Sequence, residues 1–256
     1  MFLEERQSKI LEMLERDGKV LVKELAEIFS VTEDSIRKDL SSLELDGKLK
    51  RTYGGAVTIE EKLQMTEAQR RRISDVESKR KIAAAAVRLM QQQDLIFLDI
   101  STISIAVAQI LEKTETNYKI LTNMVDVLVM LARNPKIQLF FAGGQINQSR
   151  DGFSDVLNVE FISNFRPDVA FIGAFGVDIK KNSLTSRDTS GGVLKARMIE
   201  NSKTSYVIAE SRKIGVVGNY SFATLDKIDG IITETKLSDN LLTEAEKLGV
   251  KIISAE

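Results

Sequence analysis

Two sets of residues in this sequence have the types and spacing to do chemistry. The first is basic and lies near the N-terminus. It comprises Arg37 and Lys38, with Thr32, Glu33 and Ser35 just before them, then Lys48, Lys50 and Arg51 beside Tyr53, Gly54 and Gly55. Guanidinium and ammonium groups donate to phosphate oxygens or to the O6/N7 edge of guanine, and a hydroxyl can serve either. The second set is scattered in sequence but repeats one motif, a polar or glycine-containing stretch just after an apolar run. Asp99, Ser101, Thr102 and Ser104 form the first stretch, Thr122 and Asn123 the second, Gly143 and Gly144 the third, and Gly176 and Asp178 belong to the fourth. Lys195 and Lys213 add cations. Hydroxyls, backbone amides and lysines converging on one sheet edge suit a phosphorylated small molecule. Gly, Asn and Ser also end strands for reasons of turn geometry alone. The repetition at one end of a sheet is what points to a site.

The 256 residues include no histidine and no cysteine. That removes the commonest general base, Ser-His-Asp and Cys-His arrangements, disulfides, and imidazole- or thiolate-bound metal. Neither a metal nor a cofactor is expected. Carboxylates remain, and Asp99, Asp178 and Glu210 could serve as acid/base groups in a sugar-phosphate isomerase- or deaminase-like enzyme, the alternative reading. Lys and Arg number 36 against 37 Asp and Glu, so the net charge of −1 supplies no global field for nucleic acid or membrane. Hydrophobic residues make up 43% and charged residues 29%, a globular balance. No apolar run reaches the ~18–20 residues that span a bilayer, and the acidic start lacks a signal-peptide core. The expectation is a soluble cytoplasmic protein with no membrane partner.

These residues need elements to position them. Before about residue 60 the apolar spacing is helical. Leu3, Ile10, Leu11 and Leu14 fall on one face of a helix that stops at Asp17-Gly18, and Leu25, Ala26 and Phe29 mark a second. Thr32 is the N-cap expected for a third, which buries Ile36, Leu40 and Leu43. Leu49–Tyr53 and Ala56–Ile59 flank Gly54-Gly55 as a hairpin tolerant of positive φ. Three short helices and a hairpin are the layout of a winged helix-turn-helix, in which the third helix enters the major groove and the wing reaches the backbone or the minor groove. Residues 1–57 hold ten basic and twelve acidic side chains, so a protein-interaction module is the rival. Charge matters on the docking face rather than in the sum.

Between Arg70 and Lys81 six basic residues face two acids, which reads as a linker running into a helix carrying Ile82, Ala85, Ala86 and Leu89, or as a solvated helix face. Beyond residue 90, apolar runs at Leu95–Leu98, Ile120-Leu121, Ile137–Phe141, Val169–Ile172, Ser205–Ile208, Gly230–Ile232 and Val250–Ile253 alternate with helical stretches such as Ile103–Leu111 and Val125–Leu131. Such alternation gives a mostly parallel, doubly wound α/β sheet covered on both faces. The expected organisation is a winged helix-turn-helix over 1–58, a linker and the start of a connecting helix over 59–81, and an α/β effector-sensing and oligomerisation domain over 82–256.

The stretches Arg6–Leu11, Val22–Ala26, Val31–Leu40 and Gly47–Val57, with Ile36-Arg37-Lys38-Asp39-Leu40 and Gly54-Gly55-Ala56-Val57 as their most specific parts, closely resemble the N-terminal module of the DeoR family of bacterial transcriptional regulators. The order of the later polar stretches resembles that family's sensor domain, which is similar in fold to sugar-phosphate isomerases. The resemblance covers nearly the whole chain. It implies a DNA-binding regulator, expected to repress a carbohydrate-metabolism operon. Its partners would be operator DNA, a sugar phosphate or related metabolite, and further copies of itself as a dimer or tetramer. The departures are specific. Leu21 replaces a capping Ser; Ser101 and Ile103 replace the Gly and second Thr of an Asp-x-Gly-Thr-Thr loop; Gly191 replaces a Glu before Lys195–Met198; and Glu210 and Arg212-Lys213 replace the Asp and Ser-Lys of a late Ala-Asp-x-Ser-Lys stretch. The missing cap predicts a slightly weaker start to the second helix. Ser101 and Ile103 predict a phosphate loop altered from the family's.

Overall fold

The computed structural model describes residues 3–57 and 67–255. The chain divides into two compact units, Met1–Ile73 and Ser74–Glu256.

The first unit contains α1 (Leu3–Asp17), β1 (Lys19–Leu21), α2 (Val22–Phe29), α3 (Glu33–Leu45), β2 (Lys50–Thr52), β3 (Gly55–Val57) and α4 (Glu67–Ile73). Helix α1 stops where Gly18 turns to φ +73°. The Thr32 hydroxyl accepts the Ser35 N–H at 3.2 Å and caps α3, a bond worth about 1 kcal/mol. Ile10 and Leu14 of α1 pack with Leu25, Ile36, Leu40, Leu43 and Leu49 in one core. Leu3 does not join them: it is 53% exposed, in the turn before Arg6 anchors α1 to Asp39 of α3. Leu11, Ala26 and Phe29 are only partly buried.

The hairpin departs from the sequence reading in an informative way. Only Gly54 has a positive φ, +84°. Gly55 already belongs to β3, in the sheet order β1-β3-β2, and a Cβ there would lie 2.0 Å from the Val20 carbonyl oxygen. One glycine makes the turn and the other lets two backbones meet. Leu21 caps α2 with no side-chain bond. The Gly54 carbonyl accepts the Val22 N–H at 2.7 Å, so the hairpin satisfies the first free N–H of α2, while the N–H groups of Lys23 and Glu24 that a capping Ser would have reached gain nothing from Leu21. Gly55→Ala is therefore expected to separate β1 from β3 and to cost about 3 kcal/mol, the upper end for an overpacked contact. Chemical denaturation of the first unit checks this; an unchanged transition contradicts it. The strand expected to reach Ile59 is observed only to Val57, and 58–66, including the first part of the expected linker, lie outside the described residues.

The second unit begins with α5 (Val76–Val87), then β4 (Leu95–Leu98), α6 (Thr102–Leu111), β5 (Tyr118–Thr122), α7 (Val125–Leu131), β6 (Ile137–Phe141), α8 (Val156–Ile162) and β7 (Val169–Gly173). It continues through β8 (Gly176–Asp178), β9 (Ser183–Ser186), α9 (Thr189–Asn201), β10 (Thr204–Ile208), β11 (Tyr220–Ala223), β12 (Gly230–Thr233), α10 (Asp239–Lys247) and β13 (Lys251–Ser254). A parallel seven-stranded sheet runs β13-β12-β10-β7-β4-β5-β6. Its strands alternate between two cores. Ile96 and Leu98 of β4 face one with Ile82, Val107 and Val127, while Phe97 faces the other with Ile162, Leu194 and Ala245. The chain winds outward from β4 to β6, then restarts on the other side of β4 with β7. The order therefore reverses between β4 and β7, the position at which open α/β sheets leave a crevice beyond their strand ends.

Candidate nucleic-acid interface and effector pocket

Helix α3 buries Ile36, Asp39, Leu40 and Leu43, which turns Arg37 and Lys38 outward. Asp39 is held by a bidentate bond from Arg6, with Nε 2.6 Å from Oδ2 and Nη2 3.2 Å from Oδ1. This nearly dry pair fixes α1 against α3, and sequence reading gave it no role. Arg37 donates to Asp34 at 2.8 Å and to Glu33 at 2.5 Å. Lys38 makes no ion pair among the described residues. Ser35 is half-buried, and its hydroxyl lies 3.0 Å from that of Thr32.

The hairpin is tied to the same helix. Arg51 donates to the Ser41 hydroxyl at 2.5 Å, and Ser41 donates to the Arg37 carbonyl at 2.7 Å. Glu44 accepts the Arg51 backbone N–H at 2.9 Å and pairs with Lys50 at 3.5 Å. Lys48 lies 3.9 Å from Asp46, and Tyr53 and Gly54 stand fully out at the turn. Helix and wing thus share a framework made by Ser41 and Glu44. Both were passed over in the sequence because neither carries positive charge.

The Arg51 N–H, helped by the Lys50 charge, outweighs desolvation and holds the Glu44 carboxyl below its ordinary value. The tie is accordingly complete above the ordinary glutamate range and is lost as pH falls through the lowered value. An NMR titration of the Arg51 amide should show its midpoint below that of an exposed glutamate. A midpoint at or above it contradicts the tie.

In the second unit the polar stretches do gather at the carboxyl ends of parallel strands, but they do different jobs. Asp99 follows β4 at the reversal point. Its Oδ2 accepts the Gly173 N–H at 2.9 Å from the end of β7 and the ammonium of Lys195 on α9. Ser101 caps α6, its hydroxyl accepting the Ile103 N–H at 3.2 Å, and its Cβ lies 2.9 Å from where a Gly173 Cβ would sit. Ile103 is core. Thr102 is half-exposed, and the Ser104 hydroxyl is buried without a partner among the described residues. Thr122 is structural, donating to the Leu98 carbonyl at 2.7 Å and accepting the Met124 N–H at 3.1 Å. Asn123 donates to the Phe153 carbonyl at 2.7 Å, while its buried Oδ1 has no partner among the described residues. The Lys213 ammonium donates to the Ala174 carbonyl at 2.8 Å, next to the end of β7.

Four residues expected at this edge have other work. A Gly144 Cβ would lie 2.5 Å from Asp155, whose carboxylate accepts from Gln145 and Asn158. Asn158 in turn donates to the Gly143 carbonyl at 3.1 Å. The Gly143-Gly144 turn therefore cradles a carboxylate, a poor place for a second anion. Gly176 allows close approach to Val216, whose carbonyl oxygen would lie 2.1 Å from a Cβ. Asp178 accepts the Lys181 N–H at 3.0 Å and shapes the β8–β9 turn. Gly191 donates its N–H to Asp188, the α9 cap, at 2.7 Å. Among the described residues no group of three or more acidic side chains is placed to hold a metal ion, and no helix is long and apolar enough to cross a membrane.

Comparison with known proteins covers both units. Residues 6–62 match the model of the DeoR-like helix-turn-helix domain, and residues 74–235 match that of the DeoR C terminal sensor domain. The HTH-type transcriptional regulator YulB of Bacillus subtilis is 31% identical over 98% of this chain and 96% of its own. The HTH-type transcriptional repressor GlcR of the same organism is 27% identical over 100% of this chain and 98% of its own. A solved ribose 5-phosphate isomerase A from Methanocaldococcus jannaschii is 18% identical over 55% of each chain, with a TM-score of 0.41.

Proposed function

Because this chain belongs to the DeoR family of transcriptional regulators, we propose that it represses a carbohydrate-metabolism operon and leaves its operator when a phosphorylated sugar or related metabolite binds the second unit. The observation that carries the first half is the single surface made by α3 and the wing. Arg37 and Lys38 stand outward on the helix, with Arg51 bound to the same helix through Ser41. In this reading Ser35, Arg37 and Lys38 meet base edges, with Thr32 and Glu33 beside them. Lys48, Lys50, Arg51, Tyr53, Gly54 and Gly55 bring the wing to the backbone or minor groove. Two half-sites require at least two copies, as a dimer or tetramer.

The second half is supported by the Ser104 hydroxyl and Asn123 Oδ1, buried and without partners among the described residues, in the stretches that follow adjacent strands β4 and β5. Buried polar atoms without partners are uncommon in native proteins, and a ligand or water satisfies them. Lys195, held by Asp99, and Lys213, held by the Ala174 carbonyl, supply cations at the ends of β4 and β7, with Thr102 and Ser101 in the loop that follows Asp99. Asp99 and Glu210, which an isomerase would use as acid or base, are both buried and engaged by cationic side chains. A regulator without turnover is the reading they favour. The effector acts by population shift: it lowers affinity for DNA only by its preference for the DNA-incompetent arrangement.

Fluorescence anisotropy with the duplex upstream of the protein's own gene tests this. A panel of sugar phosphates and the corresponding free sugars is added to the complex. One phosphorylated member is expected to weaken binding by roughly 5–150-fold, the usual range of allosteric coupling. Turnover of a panel member without DNA binding contradicts the reading, and release by free sugars alone removes the phosphate from it.

A further inference from the structure

Lys79, one of the cations of the Arg70–Lys81 run, is not on a solvated helix face. It lies near the start of α5 and is 3% exposed. Its ammonium donates to the carbonyl of Ser74, the first residue of the second unit, and lies 4.0 Å from Glu210 Oε1. Glu210 is 2% exposed and follows β10. It also accepts from Arg212 at 3.1 and 3.2 Å, and the same Arg212 Nη2 reaches Asp75 at 3.3 Å. Asp75 precedes α5 in a left-handed conformation, φ +46° and ψ +43°, and makes no side-chain cap bond. A non-glycine residue holds that conformation when its surroundings fix it. Two charged partners on one short loop thus clamp the residues at which the chain enters the second unit.

That loop also touches the candidate pocket. Lys213, adjacent to Arg212, holds the Ala174 carbonyl at 2.8 Å, and the Gly215 N–H donates to Val177 at 2.8 Å. Ser211 is fastened to Glu234 at the end of β12 through its N–H at 2.8 Å and its hydroxyl at 2.7 Å. The loop therefore joins the strand ends to the Ser74-Asp75 entry over one residue step.

We propose that Lys79, Glu210, Arg212 and Asp75 form a latch that fixes the chain entry in the DNA-competent state, and that an anion drawing Lys213 away from Ala174 opens it. These are positioning residues, and the inference rests on the regulator reading above. Its test uses the full chain, ligand-free, comparing wild type with Arg212→Ala, Asp75→Asn and the double variant. The Arg212–Asp75 pair is half-exposed, so hydrogen–deuterium exchange of the amides over 74–80 should accelerate about two- to fivefold in each single variant and no further in the double, while β4 stays protected. Binding to the upstream duplex should weaken by a similar factor. Unchanged exchange over 74–80 overturns the latch, as does accelerated exchange with unchanged DNA affinity. Additive effects in the double variant also overturn it, because they show that the two side chains act separately. Loss of β4 protection means that Arg212→Ala unfolds the domain, and the milder Arg212→Lys then decides by the same two readouts. A wild-type chain that binds no DNA overturns the regulator reading itself, a result distinguishable from failure of the latch alone.

Discussion

Replacing Arg37 and Lys38 together by alanine is expected to abolish sequence-specific binding while leaving the fold intact. A bidentate arginine contact to a base is worth about 1–3 kcal/mol, and a lysine at a phosphate contributes through counterion release. Arg37 carries a further consequence. It is held by Glu33 and Asp34 in the free protein, so on DNA it must exchange carboxylates for bases or bridge both. Without it, those two acids face the duplex uncompensated. The expected loss is therefore at least 100-fold on the operator, from about 3 kcal/mol or more in total. Lys50→Ala should weaken all sequences alike and reduce the salt slope by about one. Both helix side chains are exposed, so thermal unfolding should shift little. Anisotropy on operator and scrambled duplexes measures the outcome, and equal losses on the two would remove Arg37 from the base-reading role.

Lys195→Ala has the largest effect expected in the second unit. Asp99 and Lys195 have side-chain exposures of 2% and 11%, and removing one partner of a buried pair leaves an uncompensated charge, at a cost of about 3–5 kcal/mol. Stability and ligand binding can be separated by a second variant. Asp99→Asn with Lys195→Met keeps an acceptor for the Gly173 N–H and removes both charges. It should recover most of the stability, since buried pairs replaced as a whole are often neutral. It should not recover release from DNA by sugar phosphates. Urea denaturation and the anisotropy panel report the two effects independently. A Lys195→Ala protein with unchanged stability and unchanged ligand response would show that the pair does neither job.

What the sequence revealed followed from periodicity. Leu95–Leu98, Ile137–Phe141 and Val125–Leu131 coincide with observed elements, because apolar runs stand out against polar ends. The sheet β11-β9-β8 did not stand out. Its strands have three or four residues, contain Gly, Ser and Thr, and gain their order from tertiary contact. At the sites, residue type located the strand-end stretches but not their assignments. Asp99 and Lys195 are 96 positions apart, and only the sheet reversal brings them together. Gly143-Gly144 and Asp178 resemble ligand loops in sequence, yet a cap and a turn use them. Lys79 looked solvated because a helix face read from charge alone does not show which side meets Glu210.

The central claim is that α3 and the wing lie against DNA, and photo-crosslinking tests it most directly. A benzophenone side chain is placed in turn at positions 38 and 53, and at 19 on β1 as a comparison, each in the full chain bound to its upstream duplex. The account predicts crosslinks from 38 to major-groove bases and from 53 to the adjacent backbone or minor groove. They should repeat in two half-sites separated by one helical turn of about 10–10.5 base pairs or a multiple of it. Crosslinks from 19 with none from 38 or 53 would contradict it.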